Sequence, residues 1–183
     1  MNLPNYISLF RIILIPFLIL IFYLPHSVIG NFDKNLIATG LFILAGISDW
    51  LDGFLARKLQ LESKFGAFID PVADKLIVIA SLVLLVELSR ISALIAIIII
   101  GREVAVSALR EWMAGVGSAG SVAVAFVGKV KTTIQFIAIT LLLYFEDIYF
   151  LPTRLLGEVA INLAAILTII SMLYYLKKAF IRD

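Results

Sequence analysis

The chain has 183 residues, of which 62% are hydrophobic and 15% charged, with a mean hydropathy of +1.09. Soluble domains carry about 45–50% apolar and about 25% charged residues, so this chain has too little polar surface to cover itself in water. The absence of Cys excludes disulfides and thiolate metal sites, the net charge of +2 is small, and no nucleic-acid partner is expected.

The apolar runs predict an all-α polytopic membrane protein, a bundle of six transmembrane helices forming a single domain over residues 1–183. The first helix runs from about Leu3 to Leu24, where Pro25, His26 and Gly30 break it. No positive segment precedes it and no small-residue cleavage pattern follows, so it reads as a retained helix. The second spans about Asn35 to Gln60, the third about Gly66 to Leu88 and the fourth about Ile91 to Met113, before a small-residue stretch from Gly115 to Gly120. The fifth runs from about Ser121 to Phe145 and the sixth from about Leu155 to Leu176.

Basic residues orient the bundle. With the N-terminus in the cytoplasm, Arg11, Arg57, Lys58, Lys64, Lys75, Arg102, Arg110, Lys129, Lys131, Lys177, Lys178 and Arg182 fall inside. Only Lys34, Arg90 and Arg154 fall outside. Six crossings then place both termini in the cytoplasm. Trp50, Trp112 and the Tyr174–Tyr175 pair read as interfacial belt residues. Gly40, Ala45 and Gly46 read as sites of close helix packing.

Charges inside apolar helices cost roughly 2.5–3.5 kcal/mol each on insertion scales and are functional candidates by default. Here they gather at one end. Asp49, Asp52 and Arg57 lie late in the second helix; Asp70, Asp74 and Lys75 lie early in the third. Arg102, Glu103 and Arg110 lie toward the end of the fourth, and Lys129 and Lys131 near the start of the fifth. Asp49, Asp52, Gly53, Ala56 and Arg57 share one helical face by their spacing, as do Gly66, Asp70 and Asp74 if that segment is helical throughout. Pro71 fits best at a first helical position with Asp70 as N-cap, so the third helix is expected to start or bend there.

Two antiparallel helices with a short connection would bring four carboxylates together. Their mutual repulsion calls for a counter-charge, and Arg57 and Lys75 lie beside them in the same segments. One or two divalent cations supply it. Oxygen ligands suit Mg²⁺ or Mn²⁺; with no Cys and only His26, at the other side, zinc does not fit. The plain alternative is a structural ion-pair network with Arg57 and Lys75. An ion or metal transporter would also carry intramembrane acids, but those would sit at mid-membrane, in interrupted helices of an internal repeat.

Written out, the residues are Asp49-x-x-Asp52-Gly53-x-x-Ala56-Arg57, eight residues, Gly66-x-x-x-Asp70-x-x-x-Asp74. This resembles the signature of the CDP-alcohol phosphatidyltransferase family at all of its fixed positions, over residues 49 to 74. The resemblance implies a metal-dependent membrane homodimer that moves a phosphatidyl or related group from a CDP-linked lipid to an alcohol, with release of CMP. It implies two Mg²⁺ or Mn²⁺ ions held by Asp49, Asp52, Asp70 and Asp74, with Asp74 also the general base. It implies CDP binding by Asp52, Gly53, Ala56, Arg57 and Gly66. Asn5 and Arg11 are candidates to close the nucleotide pocket, with capping and anchoring as the plain alternative.

Three further stretches, Asn5 to Pro16, Gly101 to Met113 and Ser121 to Gln135, resemble the bacterial members whose alcohol is sn-glycerol 3-phosphate. That resemblance implies CDP-diacylglycerol as donor, phosphatidylglycerophosphate as product, and a site facing the cytoplasm in the bacterial inner membrane among membrane lipids. Serine or inositol phosphate are the alternative acceptors. The acceptor phosphate needs cations outside the signature, and Arg110 and Lys129, with Arg102 and Lys131, are expected to supply them. Snorkelling to the interface is the alternative for the two arginines, with Arg102 also able to pair with Glu103 or an Asp, and anionic lipid binding for the two lysines.

Overall fold

A computed structural model describes the backbone of residues 3–59, 64–115 and 126–180. It describes their side chains apart from 3–5, 52, 54–59, 64, 65, 67, 110, 113–115, 126–129 and 174–180. Six helices follow in chain order: α1 (Leu3–Tyr23), α2 (Asn31–Leu59), α3 (Lys64–Glu87), α4 (Ala93–Gly115), α5 (Phe126–Tyr144) and α6 (Thr153–Phe180). The described residues hold no strand, only an isolated bridge between Ile148 and Leu151 in the α5–α6 connection.

Each helix is an apolar run closed by local chemistry. Ser92 Oγ accepts from the Ile95 amide, 3.4 Å away, at the start of α4. α3 ends with Ser89 at φ 57°, the Ser89 amide donating to Val86 and the Arg90 amide to Leu85, both at 2.9 Å; this pattern satisfies the last free carbonyls of a helix. Hydroxyls within the helices turn back on the preceding turn: Thr39 bonds the Asn35 carbonyl, Ser48 that of Leu44 and Ser81 that of Ile77.

α3 is described from Lys64, close to the expected Gly66, and it runs through Pro71 rather than starting at Asp70. The proline ring removes one backbone donor, which costs one ladder bond, and the helix continues on either side. Asp70 and Asp74 therefore do share a helical face.

α1 packs against both α2 and α3, α5 against α2 and α6, and α4 against α6. α2 and α3 touch one another far less than either touches α1. The acidic faces of α2 and α3 meet as expected, and α1, packed against both, carries the junction. The core is aliphatic and aromatic, with Leu18, Phe42, Leu82, Leu85, Ile99 and Ile139 almost fully buried. Outward, Phe17, Leu20, Ile47, Leu94, Ile97 and Ile166 are exposed. A bundle that is apolar both inside and outside is built for lipid.

By length and composition, α1 (Tyr6–Tyr23) and α6 (Thr153–Leu173) are apolar enough to cross a bilayer. The protein is an integral membrane protein.

One end of the bundle is closed by polar bonds to backbone. The Tyr23 hydroxyl donates to Glu87 Oε1 at 2.8 Å, joining the ends of α1 and α3. Arg90 donates to the carbonyls of Leu142 and Leu143 at the end of α5, both at 2.8 Å, and to Asn35 Oδ1 at 2.6 Å. Its guanidinium also lies 4.2 Å from the Phe145 ring centre. Burial pushes Arg90 down to about 10, against a smaller opposing pull from Glu146; it remains a cation at neutral pH.

Candidate active site

The opposite end holds the charged residues. A cavity of about 840 Å³ opens there, lined by residues from α1 to α5. α1 supplies Arg11, α2 supplies Asp49, and α3 supplies Asp70, Asp74 and Lys75. α4 adds Arg102, Glu103 and Glu111, and α5 adds Gln135. Among the described residues, five carboxylates line this cavity against three cations.

The acidic residues are held from the α1 side of the cavity. Arg11 is fully buried, and its Nη1 donates to Asp49 Oδ1 at 2.9 Å and to Asp74 Oδ1. One turn earlier, Ser8 Oγ donates to Asp70 Oδ1. Three carboxylates of the signature are therefore fixed by one face of a helix that carries none of the signature. Asp49 and Asp74 keep 51% and 42% of their side chains exposed, so each is bonded on its buried side and open toward the cavity.

Arg11, a candidate to close the nucleotide pocket, lines the cavity and bonds Asp49 and Asp74 there. The signal in the sequence was Ser8 and Arg11 at helical spacing in an otherwise apolar run, a buried polar stripe.

On the other wall, Glu103 joins two cations. Its Oε1 accepts from Lys131 Nζ and, at 3.3 Å, from Arg102 Nη1, while Arg102 Nη2 reaches Ser171 Oγ on α6 at 3.3 Å. Lys131, a candidate for the acceptor phosphate, is buried and donates to Glu103. Arg102 does face the cavity. Gln135, 5% exposed, has its Oε1 buried without a hydrogen-bond partner; nothing in its sequence context distinguished it.

A Cβ at Gly53 would meet nothing within 4 Å, in keeping with a bare face beside the acids. Gly66 is buried. The side chains of Asn5, Asp52, Ala56, Arg57, Arg110 and Lys129 lie outside the described residues.

The donor set agrees with a hard divalent ion. The acids are all oxygen donors, the cavity keeps an excess of negative charge, and the open carboxylate faces point to one space. Among the described residues no three acidic or imidazole groups close on a single point; Asp49, Asp70 and Asp74 surround the space more loosely.

Residues 1–173 match the family described as CDP-alcohol phosphatidyltransferase, and the chain belongs to that family. At the level of single proteins, it is 46% identical over 180 residues to the CDP-diacylglycerol–glycerol-3-phosphate 3-phosphatidyltransferase of Haemophilus influenzae, covering 97% of this chain and 93% of that one. The proteins of the same name from Salmonella choleraesuis and Shigella flexneri serotype 5b are each 45% identical, covering 97% of this chain and 94% of theirs.

Proposed function

We propose that this protein transfers the phosphatidyl group of CDP-diacylglycerol to sn-glycerol 3-phosphate, giving phosphatidylglycerophosphate and CMP. The observation that carries this is the near-full-length identity of about 45% to enzymes bearing that name. The signature carboxylates on one cavity of a membrane bundle supply the chemistry.

Asp49, Asp52, Asp70 and Asp74 would hold two Mg²⁺ or Mn²⁺ ions. When bound, such ions supply positive charge to the diphosphate and to the departing CMP. Asp74 takes the proton of the attacking glycerol hydroxyl as the new P–O bond forms and the bond to CMP breaks. Asp52, Gly53, Ala56 and Arg57 on α2, with Gly66 on α3 and Asn5 on α1, would bind the cytidine diphosphate. Arg102, Arg110 and Lys129 would bind the acceptor phosphate, arginine by paired donors and lysine as a point charge.

All six helices span the bilayer in this reading, with the cavity facing the cytoplasm across a bacterial inner membrane. Its support is the bias of Lys and Arg toward that end. A homodimer is part of the same proposal and is checked by cross-linking in native membranes.

The deciding experiment is CMP release by purified protein from CDP-diacylglycerol with a panel of acceptors: glycerol 3-phosphate, serine, inositol phosphate and glycerol. Turnover with glycerol 3-phosphate alone is expected. Preference for another alcohol overturns the acceptor, and absence of CMP release with every acceptor overturns the activity.

A further inference from the structure

Arg11 has no place in the family signature, yet it is the most deeply committed charge in the site. It sits on α1 among Ile, Leu and Phe and is fully buried. A buried guanidinium is costly unless carboxylates compensate it, and Asp49 and Asp74 do so through Oδ1 of each. A carboxylate offers about four lone-pair positions, so one bonded oxygen leaves the group able to bind a cation from its open side.

The α1 face of Ser8 and Arg11 bonds the acids from one side, and Arg11 lines the same cavity as they do. A positive charge beside a set of ligands does two things. It relieves their repulsion when no other cation is present, and it opposes any cation that arrives at their open side.

We infer that Arg11 is a resident counter-cation for the acidic cluster, sharing Asp49 and Asp74 with divalent ions and holding down their affinity. The inference rests on the proposal that these aspartates bind metal. Its content is separate: the cluster folds and keeps its orientation without metal because of Arg11, and ions remain exchangeable because of the same charge. A unit charge within about 6 Å of a divalent ion alters its binding about tenfold even at the dielectric of water, and more in a protein.

The test uses the full-length protein in detergent, with Mn²⁺ binding followed by electron paramagnetic resonance and thermal unfolding followed with and without Mg²⁺. In Arg11→Met, Mn²⁺ should bind at least about tenfold tighter than in the unmutated protein. Its metal-free form should melt lower, and Mg²⁺ should raise its Tm by more. Arg11→Lys, which keeps the charge, should bind Mn²⁺ like the unmutated protein. Should Arg11→Met fail to accumulate, Arg11→Gln keeps a donor, drops the charge and carries the same expectation. Unchanged or weaker Mn²⁺ binding in the neutral variants overturns the counter-cation while leaving the metal site standing. Absence of Mn²⁺ binding in the unmutated protein overturns the metal assignment, and this inference with it.

Discussion

Gly46 on α2 faces the ring of Phe136 on α5 so closely that a Cβ there would stand 2.5 Å from two ring carbons. Phe136 has little room to retreat, because it stacks on Phe42 with ring centres 4.9 Å apart. Gly46→Ala should therefore cost about 1–3 kcal/mol, as overpacking does, and should push an aromatic ring into the substrate cavity that Phe42 and Phe136 help line. Thermal unfolding and CMP release check both effects. Phe136→Leu in the same chain should restore part of the stability; strict additivity of the two changes would count against the contact. Gly40, by contrast, has nothing within 4 Å of a Cβ position, so Gly40→Ala should be nearly neutral.

Arg90 is expected to be a stability residue and not a catalytic one. It satisfies two terminal carbonyls of α5 and the amide oxygen of Asn35. Arg90→Ala should cost about 2–4 kcal/mol, given the worth of charge-assisted bonds and their partial replacement by water. Tm should fall, while the Michaelis constants of the surviving enzyme stay close to normal, since the residue lies at the end away from the cavity. Lys cannot reproduce the forked geometry, so Arg90→Lys should recover only part of the loss.

Excess chelator should abolish CMP release, and Mg²⁺ or Mn²⁺ should restore it. Asp49→Ala, Asp70→Ala and Asp74→Ala should each lose turnover while the protein still inserts. Asp74→Asn should keep donor binding better than it keeps rate, because a base is needed only as the hydroxyl attacks. Equal losses in both would reassign Asp74 as a ligand alone. Full activity in chelator would remove the metal ions from the mechanism.

Arg102→Ala should raise the glycerol 3-phosphate Michaelis constant about 10- to 100-fold, the worth of one charge-assisted bond. Affinity for CDP-diacylglycerol should change little. Glu103→Gln removes the charge that binds Arg102 and Lys131 together, so it should weaken acceptor use in the same direction and lower Tm as well. A donor-affinity loss with normal acceptor response in Arg102→Ala would move the acceptor phosphate elsewhere.

The helices were legible because each is a long apolar run stopped by visible chemistry: Pro25 and Gly30 after α1, Ser89 to Ser92 after α3, Pro152 before α6. Their observed limits fall within a few residues of those expected. α2 starts earlier, at Asn31, because Lys34 can be buried there by donating to the Phe22 carbonyl, a partner no local pattern reveals. The acids on α2 and α3 were legible from spacing alone. What spacing could not show was which third helix lies between them, and hence that Arg11 and Ser8 bond those acids. The pairing of Lys131 with Glu103 was hidden for the same reason: its charge was visible, but its partner depends on how α4 and α5 meet.

The way α1 lies between α2 and α3 has a consequence for how the enzyme is made. Helices enter the membrane in order, and every bond described between Ser8, Arg11 and the aspartates lies within the first three. The acidic half of the site can therefore assemble once α3 has left the ribosome, before the last helices enter the membrane, with its neutralising partner already inserted. The wall that carries Arg102 and Glu103 is added afterwards, against an existing template. A nascent chain stalled far enough beyond α3 for that helix to have left the ribosome should already show Arg11-dependent protection of α1 from protease, before the protein could bind an acceptor.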